Sequence, residues 1–355
     1  MKKTREIVRI LLCIFMAFFM EASLAACNAT PAASDAENNA PMAGEQMQGD
    51  AGQADGGNEQ TEGIDAYATS DTPSAQQETK LQRYADAVPV VYMANEITEQ
   101  SMLALYQSLC REIKGDNTAV YVSAGEPMGS DDLDSALLGG IVQYVDGTIA
   151  VCATADDGSA SGTDRYSQAQ EHGFTKIADV VVLDEDGSVS ILAEEGIHLQ
   201  EYQVGAHFPE YDGYLIVSHF TEHPLTGFRG AVHSISLGVG SAEGKRQILE
   251  MEQTVLLESM AEAGKAVFDA LDGNLLYVNV LKRMQTDNAA MQDIGILACT
   301  DPVALDQACV DLIYMAQGSE PFVEVIEAQN GEYVLEHAEE VGLGNSAYTL
   351  VTLDE

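Results

Sequence analysis

The sequence predicts an α/β fold in which a mostly parallel sheet is flanked by helices. Short apolar runs bounded by turn residues indicate strands, and stretches with apolar residues three or four positions apart indicate helices between them. Strands that alternate with helices in this way are typical of parallel sheets. No long polar break interrupts residues 80–355, so they are predicted to form a single domain.

Apolar runs predict the strands of this sheet. They lie at residues 88–93, 119–122, 148–152, 180–183, 214–217, 275–280, 294–298 and 348–353. Turn dipeptides such as Asp146-Gly147 and Asp212-Gly213 separate several of them. The last run is predicted to be an edge strand.

Helical periodicity lies between these runs. Residues 98–113 and residues 254–271 each place apolar side chains on one face. A further helix is expected from Pro302 to about Met315, because Asp301 can cap its free amides and Pro302 fits its first turn.

The start of the chain has the pattern of an export signal. A basic stretch and an apolar run over residues 10–20 precede Leu24-Ala25-Ala26-Cys27. This ending resembles the lipobox of bacterial lipoproteins, which implies that residues 1–26 are removed and that Cys27 carries the lipid. The alternative is an uncleaved transmembrane helix, but the run is shorter than the roughly 20 residues that a span needs. The predicted location is therefore extracytoplasmic, with the chain anchored to the bacterial cell membrane through Cys27.

Residues 27–79 are predicted to be a disordered acidic tether. Between Asn28 and Thr79 there is no Lys or Arg, and Tyr67 is the one aromatic residue. Such a composition buries too little apolar surface to offset chain entropy. A flexible chain of this length reaches about 40 Å.

The charge balance is strongly acidic. The chain has 16 Lys and Arg against 57 Asp and Glu, a formal net charge of -41 at pH 7. Nucleic acid and anionic lipid surfaces are therefore poor partners. A solvated negative surface accounts for this charge, and attraction of cationic ligands is the alternative.

The cysteines that follow Cys27 are predicted to be buried thiols. Cys110, Cys152, Cys299 and Cys309 each lie in an apolar context, and no two form a C-x-x-C pair. Their spacing selects none of the three pairings that four cysteines allow.

Residues 218–245 are the strongest candidate for a functional segment. They contain three of the seven histidines and five glycines, and they follow a predicted buried strand. Open α/β sheets bind ligands at the carboxyl ends of their strands. A polar ligand is therefore expected to meet the backbone in this histidine-glycine segment.

The histidines of this segment suggest a metal site. His219 and His223 are four residues apart, and Pro224 places them in an extended loop rather than a helix. His233 is expected on a helix that starts near Thr226. Three converging imidazoles would bind a divalent metal and leave a position open for water or substrate. The alternative is that two of the histidines form hydrogen bonds with the neighbouring loop.

The glycines suggest an anion cradle. Gly238, Gly240 and Gly244, with Ser241, could present backbone N–H groups to an anion, and Lys245 would add positive charge. The spacing is that of neither a P-loop nor a dinucleotide-binding loop. The alternative is an ordinary turn at the C-terminus of a helix.

Several sequence blocks between about residue 88 and residue 353 resemble those of one protein family. They are EHGFTKIADV, SHFTEH, TGFRGAVHSISLGVGSAEGK, LLYVNV, DIGILACTDPVALDQACVDLIY and EEVGLGNSAY. The family they resemble is the uncharacterised domain of unknown function 362, whose members are often labelled iron-sulfur centre proteins. The resemblance implies further ligand-binding candidates at Gly227, Gly230 and Glu126, the last in a Gly-Glu-Pro block after a predicted strand. It also implies Asp306, for which a favourable place near a helix terminus is the alternative.

The chain departs from the family pattern at positions that bear on function. The Cys-Asp-Cys block of the family is replaced by residues 286–290, and the ferredoxin-like cysteine repeats are missing after Lys245. Tyr121 and His233 stand where the family has lysines. Thiolates hold iron-sulfur clusters, and no four suitably spaced cysteines occur here, so no such cluster is predicted.

These observations predict an exported, lipid-anchored protein that binds a small polar ligand or a divalent metal in a crevice, with or without turnover. The crevice would be lined by His219, His223, His233, Glu126, Lys245 and Asp306. One alternative is a metal-assisted hydrolase or redox accessory enzyme, with His219, His223, Lys245 and Asp306 as candidate catalytic residues. The other is a non-catalytic cell-surface scaffold.

Overall fold

The computed structural model describes residues 88–123, 133, 135–152, 162–194, 196–282, 285–286 and 289–353. They all fall within one compact unit. The predicted signal, the tether with Cys27, and Glu126 lie outside the described residues.

Short strands form the central sheet and three hairpins. They are β1 (Val90–Ala94), β2 (Thr118–Val122), β3 (Thr148–Val151), β4 (Val180–Val182), β5 (Ser188–Leu192), β6 (Glu201–Gly205), β7 (Gly213–His219), β8 (Thr221–His223), β9 (Gly227–Arg229), β10 (Leu275–Leu281), β11 (Gln285–Thr286), β12 (Ala289–Ala290), β13 (Gly295–Cys299) and β14 (Thr349–Thr352). The pairs β5–β6, β8–β9 and β11–β12 are antiparallel hairpins outside the main sheet.

The main sheet has eight strands in the order β14-β1-β13-β10-β7-β2-β3-β4. Only β13 runs antiparallel to its neighbours, and the other pairs are parallel. The prediction of a mostly parallel sheet is therefore confirmed. Each predicted strand corresponds to one strand of this sheet, with ends that differ by at most two residues, and β14 lies at an edge as expected.

Helices cover both faces of the sheet. They are α1 (Glu99–Ser108), α2 (Ser135–Tyr144), α3 (Gly162–Glu171), α4 (Ala231–His233), α5 (Ala242–Leu249), α6 (Gln253–Ala270), α7 (Pro302–Met315), α8 (Glu320–Ala328) and α9 (Tyr333–Glu340). A π-helical turn, Ser234–Gly238, continues α4. Within the described ranges, no helix is long and apolar enough to cross a membrane.

The alternation of side chains along each strand produces two cores. In β7, Leu215 and Val217 pack with α1, α2 and α3, whereas Tyr214 and Ile216 pack with the helices from α4 onwards. Every residue of β7 and β10 is buried, as expected for strands covered on both faces.

The predicted helices are confirmed with one change in length. Asp301 caps α7 by accepting hydrogen bonds from the N–H groups of Val303 and Ala304 at 2.9 and 3.0 Å. The helix α1 ends at Ser108, earlier than predicted, and Cys110 follows with a φ of 48°. Cys110 is exposed, contrary to prediction, whereas the other three thiols are buried, and none of the four is in a disulfide.

Candidate functional site

The histidine-glycine segment forms the carboxyl edge of the sheet next to β7. After β7 ends at His219, the chain makes the β8–β9 hairpin and then α4, the π-helical turn and α5. His233 therefore lies on a helix that begins at Ala231, not near Thr226, because the hairpin occupies the residues between. π-Helical turns inside helices occur frequently at functional sites.

The hairpin separates an apolar face from a polar face. Phe228 stacks on Phe220 of the core with ring centroids 5.3 Å apart. Thr221 pairs with Arg229 and His223 pairs with Gly227, so these side chains lie on the opposite face from Phe228. The hairpin thus directs His223 and Arg229 away from the core. We call His223, Arg229, His233 and Lys245 the basic crevice.

Two imidazoles lie side by side in the basic crevice. The rings of His223 and His233 are 5.1 Å apart and inclined by 61°. Nδ1 of His223 lies 2.8 Å from the hydroxyl oxygen of Thr226 and 3.2 Å from the backbone nitrogen of the same residue. Nε2 of His233 is buried and has no hydrogen-bond partner in the part of the chain that the structure describes.

Burial and nearby cations keep both rings neutral. Burial, followed by the charge of Arg229, lowers the pKa of His223 to about 4. Burial also lowers the pKa of His233 well below its ordinary value, with further contributions from His223, Arg229 and Lys245. The positive charge of the crevice at pH 7 therefore comes from Arg229 and Lys245.

Arg229 and Lys245 differ in their environments. Nε of Arg229 donates to Oγ1 of Thr221 at 3.1 Å, and no described residue accepts from its terminal nitrogens or forms an ion pair with it. Lys245 is buried on α5, which begins after Ser241. Ser241 caps that helix by accepting the N–H of Gly244 at 3.2 Å.

Tyr121 and Arg165 lie near the same edge. Burial raises the pKa of Tyr121, while the charges of Arg165 and Arg229 act to lower it. The phenol is therefore protonated at pH 7, in the place where the family has a lysine. Sequence reasoning missed Arg229 and Arg165 as site residues, because the position of Arg229 depends on a hairpin that the apolar pattern did not reveal.

His219 does not join the other histidines in a metal site. Its Nε2 lies 2.7 Å from the carbonyl oxygen of Lys282, which can only accept, so Nε2 carries the proton. The N–H of His219 donates to Oγ of Ser123 at 2.8 Å. Among the described residues, no group of three His, Cys, Asp or Glu could hold a metal ion. The predicted His219, His223 and His233 site is therefore not formed there.

The glycines allow close packing and do not form the predicted anion cradle. A β-carbon at Gly238 would lie 2.6 Å from the hydroxyl oxygen of Tyr121, and one at Gly240 or Gly244 would overlap Tyr202 or the carbonyl of Gln203. The backbone N–H groups of this segment donate to protein acceptors. Those of Val239, Gly240 and Ser241 donate to the carbonyls of Ser234, Ser236 and Gln203, and that of Ala242 donates to Asp184.

Asp306 holds the start of α4. Its buried carboxylate accepts the N–H groups of Ala231 and Val232 at 2.7 and 2.9 Å and the amide of Asn279 at 2.7 Å. Burial raises the pKa of Asp306 to about 6, although these hydrogen bonds act to lower it. Asp306 therefore contacts the N-terminus of α4 and not a terminus of its own helix, α7.

Gly227 and Gly230 also have packing roles. Gly227 has a φ of 83° in the hairpin turn and lies against Gly331. Gly230 makes room for the Asp306 carboxylate. Of the predicted site residues, the structure thus brings together His223, His233 and Lys245. His219 and Asp306 form hydrogen bonds with the backbone, and the glycines allow close packing.

A surface depression of about 280 Å³ lies at the opposite edge of the sheet. It is lined by Arg111, Lys114, Gly115, Asp212, Leu271, Asp272 and Asn274. The amide of Asn274 donates to the carbonyls of Lys114 and Asp212, which ties these loop ends together. No predicted site residue lines this depression.

Comparisons with known proteins give a family and a distant likeness in fold. The family described as Domain of unknown function (DUF362) matches residues 122–311. The structure of the lactate racemase apoprotein from Thermoanaerobacterium thermosaccharolyticum is similar with a TM-score of 0.39 and 13% identity, over 62% of this chain and 56% of that chain. A protein from Thermotoga maritima gives a TM-score of 0.36 and 11% identity, over 69% and 60%. The chain thus spans less than two thirds of either structure. No curated protein matches it.

Proposed function

Since the chain belongs to the domain of unknown function 362 family, a membership that assigns no activity, we propose a function from the basic crevice: the protein binds a small anion there. One observation carries this proposal. Arg229 projects from the hairpin near two neutral imidazoles, and it forms no ion pair with any described carboxylate.

The scarcity of cations in the chain supports this function. Acidic residues outnumber basic ones by 57 to 16, so a random arrangement would surround each cation with carboxylates. Arg229 and Lys245 instead both act on the ring of His233, and Arg229 forms no ion pair with a described carboxylate.

The same charges disfavour a divalent metal in the crevice. Burial is the main cause of the lowered pKa of His233, and Arg229 and Lys245 lower it further because they repel a positive charge on the ring. A metal ion at the imidazoles would meet the same repulsion. An anion would instead be attracted by the charge of Arg229.

His223 is poorly suited to act as a general base at pH 7. A general base works best when its pKa lies near the working pH. The pKa of His223 is lowered to about 4, which makes this ring a weak base at pH 7.

Calorimetric titration of the full chain in a non-ionic detergent tests the anion site, with inorganic phosphate and acetate as probes. Wild type should bind at least one of them. Arg229→Gln should weaken that binding by roughly tenfold or more, since a hydrogen bond to a charged group is worth about 1.5–3 kcal/mol. Arg246→Gln is the matched control, because Arg246 is exposed on α5 and donates to its own helix. No binding by wild type, or equal binding by Arg229→Gln, would overturn the proposal.

We also propose that the chain is exported and anchored to the membrane through Cys27. The support is the basic and apolar start of the sequence and the Leu-Ala-Ala-Cys ending. Labelling of growing cells with a radioactive fatty acid should label the wild-type protein and should not label Cys27→Ser. Equal labelling of both proteins would contradict the anchor.

A further inference from the structure

The guanidinium of Arg229 is oriented by a residue on the neighbouring strand. Thr221 and Arg229 are directly opposite each other in the β8–β9 hairpin, which places their side chains on the same face. Oγ1 of Thr221 accepts the hydrogen bond of Nε at 3.1 Å. The bond fixes the edge of the guanidinium plane that faces the hairpin.

The opposite edge of that plane carries the two terminal nitrogens. Within the described ranges, no residue accepts a hydrogen bond from them. A planar guanidinium with its Nε already bonded offers two parallel N–H groups, and this fork matches two oxygens of a carboxylate or phosphate. A spherical anion such as chloride cannot use both N–H groups in that way.

The hairpin is rigid enough to hold this orientation. Phe228, next to Arg229, stacks on Phe220 in the core. The hydroxyl of Thr226 donates to the carbonyl of Phe228 at 2.9 Å, which closes the turn. The backbone on both sides of the Thr221–Arg229 pair is therefore fixed, and the Thr221 hydroxyl determines where the fork points.

We infer that the ligand is an oxyanion, a carboxylate or a phosphate, bound through two oxygens by the Arg229 fork, and that Thr221 is the positioning residue. The inference rests on the proposed anion site and adds the ligand class to it. Lys245 then supplies charge from α5, and the fork supplies selectivity.

Variants that keep the charge test the fork separately from the anion site. Arg229→Lys retains a cation but loses the planar pair of donors, and Thr221→Val retains the shape but loses the acceptor. Both should weaken binding of acetate and phosphate to the full chain by roughly tenfold, the loss expected for one charge-assisted hydrogen bond. Thr221→Ser keeps the hydroxyl acceptor and should bind acetate and phosphate as wild type does. Chloride, which has the same charge as acetate, should bind more weakly to wild type and should be insensitive to Thr221→Val.

The outcomes distinguish the two proposals. If Arg229→Lys and Thr221→Val bind acetate and phosphate as well as wild type does, while Arg229→Gln does not, the fork is wrong and the anion site stands. If wild type prefers chloride, the oxyanion class is wrong. If wild type binds none of the three anions, both proposals fall. The stronger of the acetate and phosphate affinities identifies the oxyanion that the site prefers.

Discussion

The carboxylate of Asp306 occupies the space in which a side chain at Gly230 would lie. A β-carbon at Gly230 would overlap both carboxylate oxygens, one of which accepts the N–H of Ala231 at 2.7 Å. The carboxylate reaches the start of α4 only because Gly230 has no side chain. Since α4 carries His233, this contact also positions the basic crevice.

Gly230→Ala is expected to destabilise the protein and to weaken anion binding. The added methyl group must displace either Asp306 or the start of α4, and overpacking of this kind costs about 1–3 kcal/mol. Urea unfolding measures the first effect and calorimetry with phosphate measures the second.

Gly139→Ala provides the matched control. Its β-carbon would lie 3.3 Å from the Glu99 carboxylate, in the middle of α2, and alanine favours a helix over glycine by about 0.5–1 kcal/mol. We expect unchanged or slightly increased stability. Equal stability of Gly230→Ala and wild type would show that Asp306 does not hold α4 in the way described.

His223 makes stability depend on pH in the acid range. Its pKa in the folded protein is about 4, below the ordinary value, so protonation favours the unfolded chain. The contribution of neutral His223 to the free energy of unfolding is fully present above about pH 6.5 and is lost as the pH falls through 4. Its size is at most about 3 kcal/mol. The difference in unfolding free energy between wild type and His223→Asn should therefore fall as the pH is lowered from 7 to 4.

The difference between the two proteins is the informative quantity, because other groups act in the opposite sense. Burial raises the pKa of Asp301 and of Asp306 to about 6, so their contributions are present at low pH and lost as the pH rises through 6. Urea unfolding at pH 7, 6, 5 and 4 measures the difference. A difference that is constant over this range would contradict the buried, neutral state of His223.

His207→Gln is a control of opposite sign. The hydrogen bond with Glu210 raises the pKa of His207, so its contribution is present below the ordinary pKa and is lost as the pH rises through the folded value. Removal of His207 should therefore cost stability at the acid end of the range and not at the alkaline end.

The sheet could be predicted from the sequence because its strands are buried on both faces. Runs such as residues 275–280 are apolar at every position or nearly so, and turn residues bound them. The β8–β9 hairpin has three-residue strands that contain Glu222 and Arg229, so it leaves no apolar pattern. The register that places Arg229 opposite Thr221 could therefore not be predicted.

The candidate site was predicted in part, for a related reason. Histidine and lysine are rare and chemically distinct in this chain, so His223, His233 and Lys245 could be selected by residue type alone. In a sequence, a glycine that forms an anion-binding loop cannot be told from one that makes room for a neighbouring residue. Gly240 and Gly244 resemble an anion loop, but they make room for Tyr202 and Gln203, which come from a distant part of the chain.

Glu262 ties the loop before β6 to the helix α6. Its buried carboxylate accepts three backbone N–H groups, those of Ile197 at 2.9 Å, His198 at 3.0 Å and Leu199 at 2.8 Å. Nε2 of His337 on α9 lies 3.6 Å from the same carboxylate. A single buried carboxylate therefore accepts hydrogen bonds from the backbone N–H groups of three successive residues.

Glu262→Gln should release this loop without unfolding the sheet. The new amide group turns a donor toward backbone donors, and a buried donor without an acceptor costs about 1–3 kcal/mol. The amide protons of residues 197–199 should then exchange with solvent roughly tenfold faster or more, whereas those of β7 and β10 should not change. Hydrogen exchange read by mass spectrometry measures both.

Glu250→Gln, an exposed position at the end of α5, is the control. Exchange in residues 197–199 that is as slow in Glu262→Gln as in Glu250→Gln would mean that the loop is held by its apolar contacts rather than by this carboxylate.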